Sequence, residues 1–178
     1  AYLCIKRRLA LSALCADLKG MEGAPFLAGP CAATIRSDYG ADVVKIETLT
    51  GDRQRSIAAG HPSEYSWQLT DRNRRSLAMD ITAKAGRGVL LRMLEQADVF
   101  VVNFSAQQLE RHDLQWGTLK AINPRLIFAQ VSGYGLEGPE ADRRSFGFPA
   151  WFGRPGTPGM MHEKDIAPSI AAGGVGTQ

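Results

Sequence analysis

The run from residue 28 to residue 47 constrains the fold more than any other segment. It consists of Ala-Gly-Pro, a stretch of helix-forming residues, and then Gly-Ala-Asp-Val-Val-Lys-Ile-Glu. Pro30 suits the first turn of a helix because its missing N–H would have no partner there, and Gly40 can adopt the left-handed conformation that ends a helix. The β-branched residues that follow are typical of a buried strand. The run therefore predicts a helix over 30–39 and a strand over 42–47.

The same alternation of strand and helix continues along the chain. We predict further strands within residues 9–18, 73–80, 98–104 and 126–131. We predict helices over residues 82–96, 106–112 and 115–123, with Thr82 as the cap of the first of these. A polar, glycine-containing stretch over 48–63 indicates a surface loop. This order favours an α/β fold, a Rossmann-like, mostly parallel sheet flanked by helices.

Two of the predicted helices carry apolar residues that could face the sheet. In the helix over 30–39, we expect Ala33, Ile35 and Tyr39 to lie on the packed face. In the helix over 82–96, the spacing of apolar residues predicts a longer buried stripe. Its residues are Val89, Leu90, Met93, Leu94 and Ala97.

Composition and charge exclude several classes of protein. Apolar residues make up 44% of the 178-residue chain and charged residues 22%, which is close to globular averages. The formal net charge of +3 is too small to indicate nucleic-acid binding by itself, although it is compatible with a local anion site. The three cysteines show neither a Cys-x-x-Cys spacing nor the density of a disulfide scaffold, so we expect a reducing, cytoplasmic setting.

Membrane and metal sites are not indicated by the sequence. No apolar run approaches the roughly 20 residues that span a bilayer. Residues 6–14 imitate the charged and apolar parts of a signal peptide, but the apolar part is at the short limit, and a first strand is the alternative. The histidines, His61, His112 and His162, have no spacing that suggests a metal site.

Seven short blocks of this sequence occur in the order and at the spacing of a known family. They lie at residues 27–30, 40–47, 51–53, 73–76, 97–104, 122–127 and 132–139. Any one block is weakly specific, whereas seven in order are strong. Over about residues 24–176 the chain resembles the class III CoA-transferase family, which also contains formyl-CoA and carnitine CoA-transferases and acyl-CoA racemases.

The resemblance implies an organisation of the chain in three segments. Residues 1–23 match poorly, residues 24–137 correspond to a Rossmann-like CoA-binding domain, and residues 138–178 form a Gly/Pro-rich segment leading toward a further domain. Family members are about twice as long as this chain. The sequence therefore looks like an amino-terminal half of such a protein.

The resemblance also implies an activity. Family members move coenzyme A between an acyl-CoA and a carboxylic acid through an enzyme-bound carboxylate. They form interlocked homodimers, and the resemblance implies no metal cofactor and no nucleic-acid or membrane partner. Two alternatives stay open, an acyl-CoA racemase and a catalytically inactive CoA-binding fragment. A dinucleotide-dependent oxidoreductase is more distant because residues 19–30 lack the Gly-x-Gly-x-x-Gly turn.

Ten residues match positions that contact CoA in the family. By resemblance, Arg74 contacts the nucleotide or a phosphate, Arg111 is a second basic contact, and the loop Pro25, Phe26, Leu27 and Ala28 lies along the CoA arm. Asn103 and Phe104 border the pocket, and Gly133 and Tyr134 form a turn near the acyl group. The alternatives are a solvated turn for Arg74, a core aromatic for Phe104 and a partly buried tyrosine for Tyr134.

The catalytic residue of this chain is unknown from its sequence. The resemblance implies an aspartate after a Gly-x-Gly loop, where this chain has Gly174-Val175-Gly176 followed by Thr177. A threonine hydroxyl cannot form the mixed anhydride that a carboxylate makes with an acyl-CoA, and no base is evident beside it. Asp165 is supported as a substitute only by its proximity in sequence. Residues 145–148 also lack the histidine that the racemases would carry.

Overall fold

The computed structural model describes residues 14–57, 65–143, 146, 150 and 153–160. Within these ranges the chain forms one sheet whose strand order is β3-β2-β1-β4-β5, with every neighbouring pair parallel. The strands are β1 (Lys19–Glu22), β2 (Asp42–Glu47), β3 (Arg75–Ala78), β4 (Val99–Val102) and β5 (Ile127–Gln130). The structure therefore confirms the α/β fold with a parallel sheet.

Six of the seven helices in the described ranges connect these strands, and the seventh follows β5. The helices are α1 (Ala28–Asp38), α2 (Gln54–Ile57), α3 (Tyr65–Asp71), α4 (Lys84–Leu94), α5 (Ala106–Arg111), α6 (Trp116–Ile122) and α7 (Thr157–Met160). Within the described residues, none of them is long and apolar enough to cross a membrane.

The connections reverse direction between β1 and β4. From β1 the chain passes through α1 to β2 and then outward to β3, and α4 carries it back to β4 on the other side of β1. In parallel sheets, a crevice opens outside the carboxyl ends of the two strands at which the connections diverge. Ligands are therefore expected at the carboxyl ends of β1 and β4.

The main apolar core lies around β4, whose four residues are all buried. Leu90 and Leu94 of α4 and Leu119 of α6 pack in the same cluster as Phe100 and Val102. A strand that is covered on both faces reads as a continuous apolar run, as the sequence of β4 does.

Several predicted elements are confirmed. Strand β2 has the predicted bounds, α1 begins two residues earlier than predicted, and Gly40 has a positive φ of 101°. Strands β4 and β5 and helices α4, α5 and α6 lie within the predicted ranges. The predicted stripe of α4 is confirmed in part: Leu90, Leu94 and Ala97 are buried, Met93 is partly buried against the core, and Val89 is partly exposed.

The prediction of a first strand within 9–18 is wrong for the part that the structure describes. Residues 14–17 form a turn, and β1 begins at Lys19. Its sequence, Lys-Gly-Met-Glu, carries two charges and a glycine, so it has no apolar run that would predict a strand. Glu22 is nevertheless buried because cations from other elements surround it. Residues 9–13 lie outside the described residues.

The predicted cap of α4 is also wrong. Ala83 precedes the helix in an extended conformation, and no side chain caps it. The Thr82 hydroxyl and backbone N–H both donate to Asp80 Oδ1, at 2.6 and 2.8 Å. Thr82 is therefore held in an Asx-type turn one residue too early to cap the helix.

The packed face predicted for α1 is only partly correct. Ala33 is buried, but Ile35 is 57% exposed and Tyr39 39% exposed. The residues that face the sheet are instead Gly29 and Ala33. Because their side chains are small, the helix lies close to the strands. A Cβ on Gly29 would lie 2.2 Å from the Cβ of Ala24, so this position requires glycine.

The region between β2 and β3 contains helices that the sequence did not predict. Within the loop predicted over 48–63, residues 54–57 form α2, and α3 follows at residues 65–71. Both are short and lack a regular apolar stripe. Residues 58–64 lie outside the described residues.

Candidate functional site

The loop that leaves β1 meets the residues that follow β4 at the crevice. Gly23 N–H continues the strand by donating to Val101 O at 2.8 Å. Farther out, Asn103 Nδ2 donates to Pro25 O at 3.2 Å. The structure thus brings together six of the predicted CoA-binding residues: Pro25, Phe26, Leu27, Ala28, Asn103 and Phe104. All six are partly exposed and lie at the strand ends where a ligand is expected.

Phe26 holds an unusual backbone conformation within this loop. Its φ is +71°, in the left-handed region that non-glycine residues seldom adopt. Its ring meets that of Phe146 edge to face at 5.7 Å. Such conformations cost on the order of 1–3 kcal/mol and persist where surrounding contacts over-determine them.

Phe104 and its neighbours are fixed by contacts to β5 and α5. Phe104 O accepts from Gln130 Nε2 at 2.8 Å, and its ring lies 6.4 Å from that of His112. Ser105 begins α5 with a reciprocal capping box with Gln108. These contacts set the direction in which the chain leaves the crevice.

The other predicted residues on this side lie farther along the chain. Arg111 is exposed in the last turn of α5. Gly133 and Tyr134 follow β5, and the Tyr134 ring lies 5.8 Å from the guanidinium carbon of Arg143 and 5.2 Å from that of Arg154. Among the described residues, no hydrogen bond, ion pair or ring contact joins Tyr134 to the β1–β4 crevice.

A cluster of buried charges, which we call the buried ion network, lies beneath the loop on the β2 side. It consists of Glu22, Lys45, Asp52, Asp71 and Arg74. Lys45 Nζ lies 3.1 Å from Glu22 Oε2, 2.8 Å from Asp52 Oδ2 and 3.2 Å from Asp71 Oδ1. Lys45 is only 2% exposed, so these carboxylates replace the water that its ammonium would otherwise bind.

Arg74 belongs to this network. Its guanidinium donates to Glu22 Oε2 at 2.8 Å and to Asp71 Oδ1 at 2.5 Å, and its side chain is 1% exposed. Its Nε has no hydrogen-bond partner among the described residues but is buried, so a direct contact with a phosphate would require the side chain to move. The phosphate contact stays a prediction, and the structure shows Arg74 in a packing role.

Burial and charge act in opposite directions within the network. Burial raises the pKa of Glu22 to about 7, although Lys45 and Arg74 oppose the shift. Burial alone would lower the pKa of Lys45, but the surrounding carboxylates outweigh it and hold that pKa above its usual value. The ammonium therefore stays charged, and the Glu22 carboxyl group can hold a proton near neutral pH.

A second, partly exposed ion pair adjoins the network. Arg55 donates to both carboxylate oxygens of Glu47, at 2.9 and 2.7 Å, and stacks 3.6 Å from the centre of the Trp67 ring. Ser76 also donates to Glu47. Burial would raise the pKa of Glu47, but these donors and Asp52 N–H outweigh burial and lower it to about 2.

A groove opens at the same sheet edge beyond β2 and β3. It has a volume of about 290 Å³ and is lined by residues 48–50 and 79–82, which directly follow the two strands. Leu49, Met79 and Ile81 supply its apolar surface. No sequence signal pointed to this groove, because its residues belong to two loops that only the sheet brings together.

The partners of Arg74 were not predicted from the sequence. Glu22, Lys45, Asp52 and Asp71 gave no separate signal as a cluster, although Lys45 and Asp52 stand in two of the matched blocks. Charged residues inside a strand could have been noticed, because Lys45 interrupts an otherwise apolar run. Among the described residues, no group of histidine, cysteine and acidic side chains could hold a metal ion. His61, His162, Asp165 and Thr177 lie outside the described residues.

Comparisons with known proteins identify the family of this chain. The family model described as CoA-transferase family III matches residues 17–176. The (R)-2-hydroxy-4-methylpentanoate CoA-transferase of Clostridioides difficile is 34% identical over 165 residues, which cover 89% of this chain and 41% of that protein. The succinyl-CoA–L-malate CoA-transferase alpha subunit of Chloroflexus aurantiacus is 39% identical over 125 residues, 68% of this chain and 29% of the relative.

A solved structure has the same fold. The crystal structure of a CAIB/BAIF family protein from Brucella suis matches with a TM-score of 0.84 and 31% identity, covering 93% of this chain and 45% of the other. The chain spans less than half the length of the relatives that it matches. With the family model matched over most of its length, the chain belongs to CoA-transferase family III.

Proposed function

We propose that the chain binds CoA at the β1–β4 crevice and forms the CoA-binding part of an enzyme that moves CoA between an acyl-CoA and a carboxylic acid. The observation that carries the proposal is the meeting of the loop over 23–27 with Asn103 and Phe104, fixed by the Asn103–Pro25 hydrogen bond. Both relatives named above are CoA-transferases, which favours transfer over racemisation.

The surfaces at this sheet edge suit the parts of CoA. The rings of Phe26 and Phe104 offer apolar surface to the pantetheine arm, and the groove lined by residues 48–50 and 79–82 can take one face of the flat adenine ring. Two strand spacings, about 10 Å, separate the crevice from the ends of β2 and β3, which the extended arm can span. We therefore assign the arm to the crevice and the nucleotide end to the groove.

Other contacts belong to the proposal on the strength of the resemblance. Arg111, Gly133 and Tyr134 are proposed contacts for the phosphate or acyl parts, and CoA is the cosubstrate. Assembly into interlocked dimers and a cytoplasmic location rest on the family and the composition. Thr177 leaves the catalytic carboxylate unassigned in this chain.

Calorimetric titration of the chain with CoA, and separately with NAD, tests CoA binding. We expect saturable binding of CoA and none of NAD. Phe104→Leu should weaken CoA binding several-fold, because it removes an aromatic face at the crevice while keeping an apolar side chain. Phe128→Leu is the matched control, since Phe128 lies on β5 against Phe100 and Trp116. No binding at millimolar CoA would contradict the proposal.

The transfer step needs an assay of CoA exchange between an acyl-CoA and a free acid, made in a full-length context. We expect Thr177→Asp to raise the exchange rate, because a carboxylate can attack the thioester carbonyl, displace the CoA thiolate and form the mixed anhydride. If the threonine form were already as active as the aspartate form, the assignment of residue 177 to the family's catalytic position would be wrong.

A further inference from the structure

The buried ion network holds the backbone of the loop as well as its own charges. Three of its members contact backbone groups of the loop. Ala24 N–H donates to Glu22 Oε1 at 2.8 Å, Lys45 Nζ donates to Ala24 O at 3.1 Å, and Phe26 N–H donates to Asp52 Oδ1 at 3.4 Å. The acceptors and donors come from β1, β2 and the turn after β2.

The position of these contacts matches the strained part of the loop. The Asp52 carboxylate accepts the N–H of Phe26, the residue with φ of +71°. Asp52 is itself fixed, because its Oδ1 accepts Gln54 N–H at 2.8 Å and its own N–H donates to Glu47 Oε2 at 2.8 Å. By accepting the Phe26 N–H, a carboxylate held in this way can keep the Phe26 backbone in a conformation that the free chain would leave.

Other members of the network do not touch the loop. Asp71 binds Lys45 and Arg74 and accepts from Thr70, all on the α3 side. Asp52 and Asp71 are both buried and both pair with Lys45. Asp52 reaches the backbone of Phe26 in the loop, whereas Asp71 reaches Arg74 instead.

We propose that Glu22, Lys45 and Asp52 are positioning residues for CoA: they hold the loop over 23–27 in the shape that receives the cofactor, without touching it. This inference rests on the proposed function. Ordering the loop before binding removes an entropic cost that CoA would otherwise have to offset. Loss of the contacts that hold the loop should therefore weaken CoA binding, and this effect can be measured separately from any loss of folding stability.

Asp52→Ala, Asp52→Asn and Asp71→Ala provide the test. Both alanine variants remove one carboxylate from Lys45, and Asp71→Ala also removes one from Arg74, so we expect its loss of stability in urea unfolding to be at least as large as that of Asp52→Ala. At a temperature where each variant is folded by circular dichroism, Asp52→Ala should raise the Kd for CoA at least tenfold. Asp71→Ala should stay within about threefold of the wild-type value. Asp52→Asn should recover part of the loss, because its amide oxygen can still accept Phe26 N–H while its NH2 group then faces Lys45 Nζ and cannot accept from it.

Hydrogen exchange at the Phe26 amide gives a second readout. We expect faster exchange in Asp52→Ala and unchanged exchange in Asp71→Ala. Equal losses of CoA affinity in the two alanine variants, or no loss in either, would overturn the inference while leaving CoA binding by the wild-type chain intact. A wild-type chain that binds no CoA would overturn the proposed function and this inference together.

Discussion

The two halves of the sheet are stabilised in different ways. Around β1, β2 and β3, buried carboxylates and cations pair with one another, and Glu22 and Lys45 are almost fully inaccessible. Around β4 and β5, the buried residues are apolar and pack against α4 and α6. The stability of the first half depends on the pairing of its buried charges, and the stability of the second half depends on close packing of its apolar side chains. The crevice lies where the two halves meet.

The largest effect should come from breaking the charged half. Lys45→Met would leave three buried carboxylates without their shared cation, and removal of one partner of a buried ion pair costs about 3–5 kcal/mol. We expect a loss of that size in the free energy of unfolding, measured in urea. Lys120→Met, at an exposed position of α6, should change it by less than about 0.5 kcal/mol. A small effect at Lys45 would mean that the network does not stabilise this half.

The apolar half should lose stability through a cavity. Leu94 is 1% exposed in the core, and Leu→Ala changes at such sites cost about 2–5 kcal/mol. Leu94→Ala should therefore destabilise the chain in urea, whereas Leu136→Ala, at a 60% exposed position, should not. The loss at Leu94 should be the same at pH 5 and pH 8, in contrast with changes in the charged half.

The pH dependence of stability should separate the halves further. The pKa of Glu22 rises from 4.5 to about 7 on folding, so the folded state keeps a proton that the unfolded state has released. The contribution of Glu22 to the free energy of unfolding therefore falls as the pH rises from about 4.5 to about 7, and it is constant above pH 7. Glu22→Gln should remove this slope from urea unfolding curves measured between pH 5 and 8. An unchanged slope in that variant would assign the pH dependence to other groups.

The smallest effect is expected at an exposed pair on the edge of the charged half. Arg75 donates to both oxygens of Asp42, at 3.0 and 2.6 Å, but their side chains are 68% and 55% exposed. Exposed pairs contribute about 0–1 kcal/mol. Arg75→Ala should lower the free energy of unfolding by no more than that, and less at 1 M salt. A loss near that of Lys45→Met would erase the distinction between buried and exposed pairs.

The apolar half was the easier half to predict. Strand β4 and helix α4 carry continuous or periodic apolar residues, and their positions followed from that pattern. Strand β1 was misplaced because a buried Glu22 looks like a surface residue until Lys45 and Arg74 are seen around it. Helix α3 was missed because its seven residues have no strong periodicity and it packs on α1, an element distant in sequence.

The candidate site divides in the same way. Pro25 to Ala28 and Asn103 with Phe104 were predicted from short blocks of sequence, since strand ends carry local signals in glycine, proline and asparagine. Arg74 was predicted in the same way, but its surroundings were not, because its partners Glu22 and Asp71 come from separate elements. A residue's type can be read locally, whereas its burial depends on the whole fold.

By itself, the sequence determined the family, the order of most strands and helices, and the loops that would meet at the carboxyl edge of the sheet. Local backbone preferences and apolar periodicity are sufficient for these features. Only the tertiary structure decided that Glu22, Lys45, Asp52, Asp71 and Arg74 form one buried network beneath the loop. The physical reason is that charge pairing in the interior depends on distances between atoms far apart in sequence, which the parallel sheet sets when it assembles.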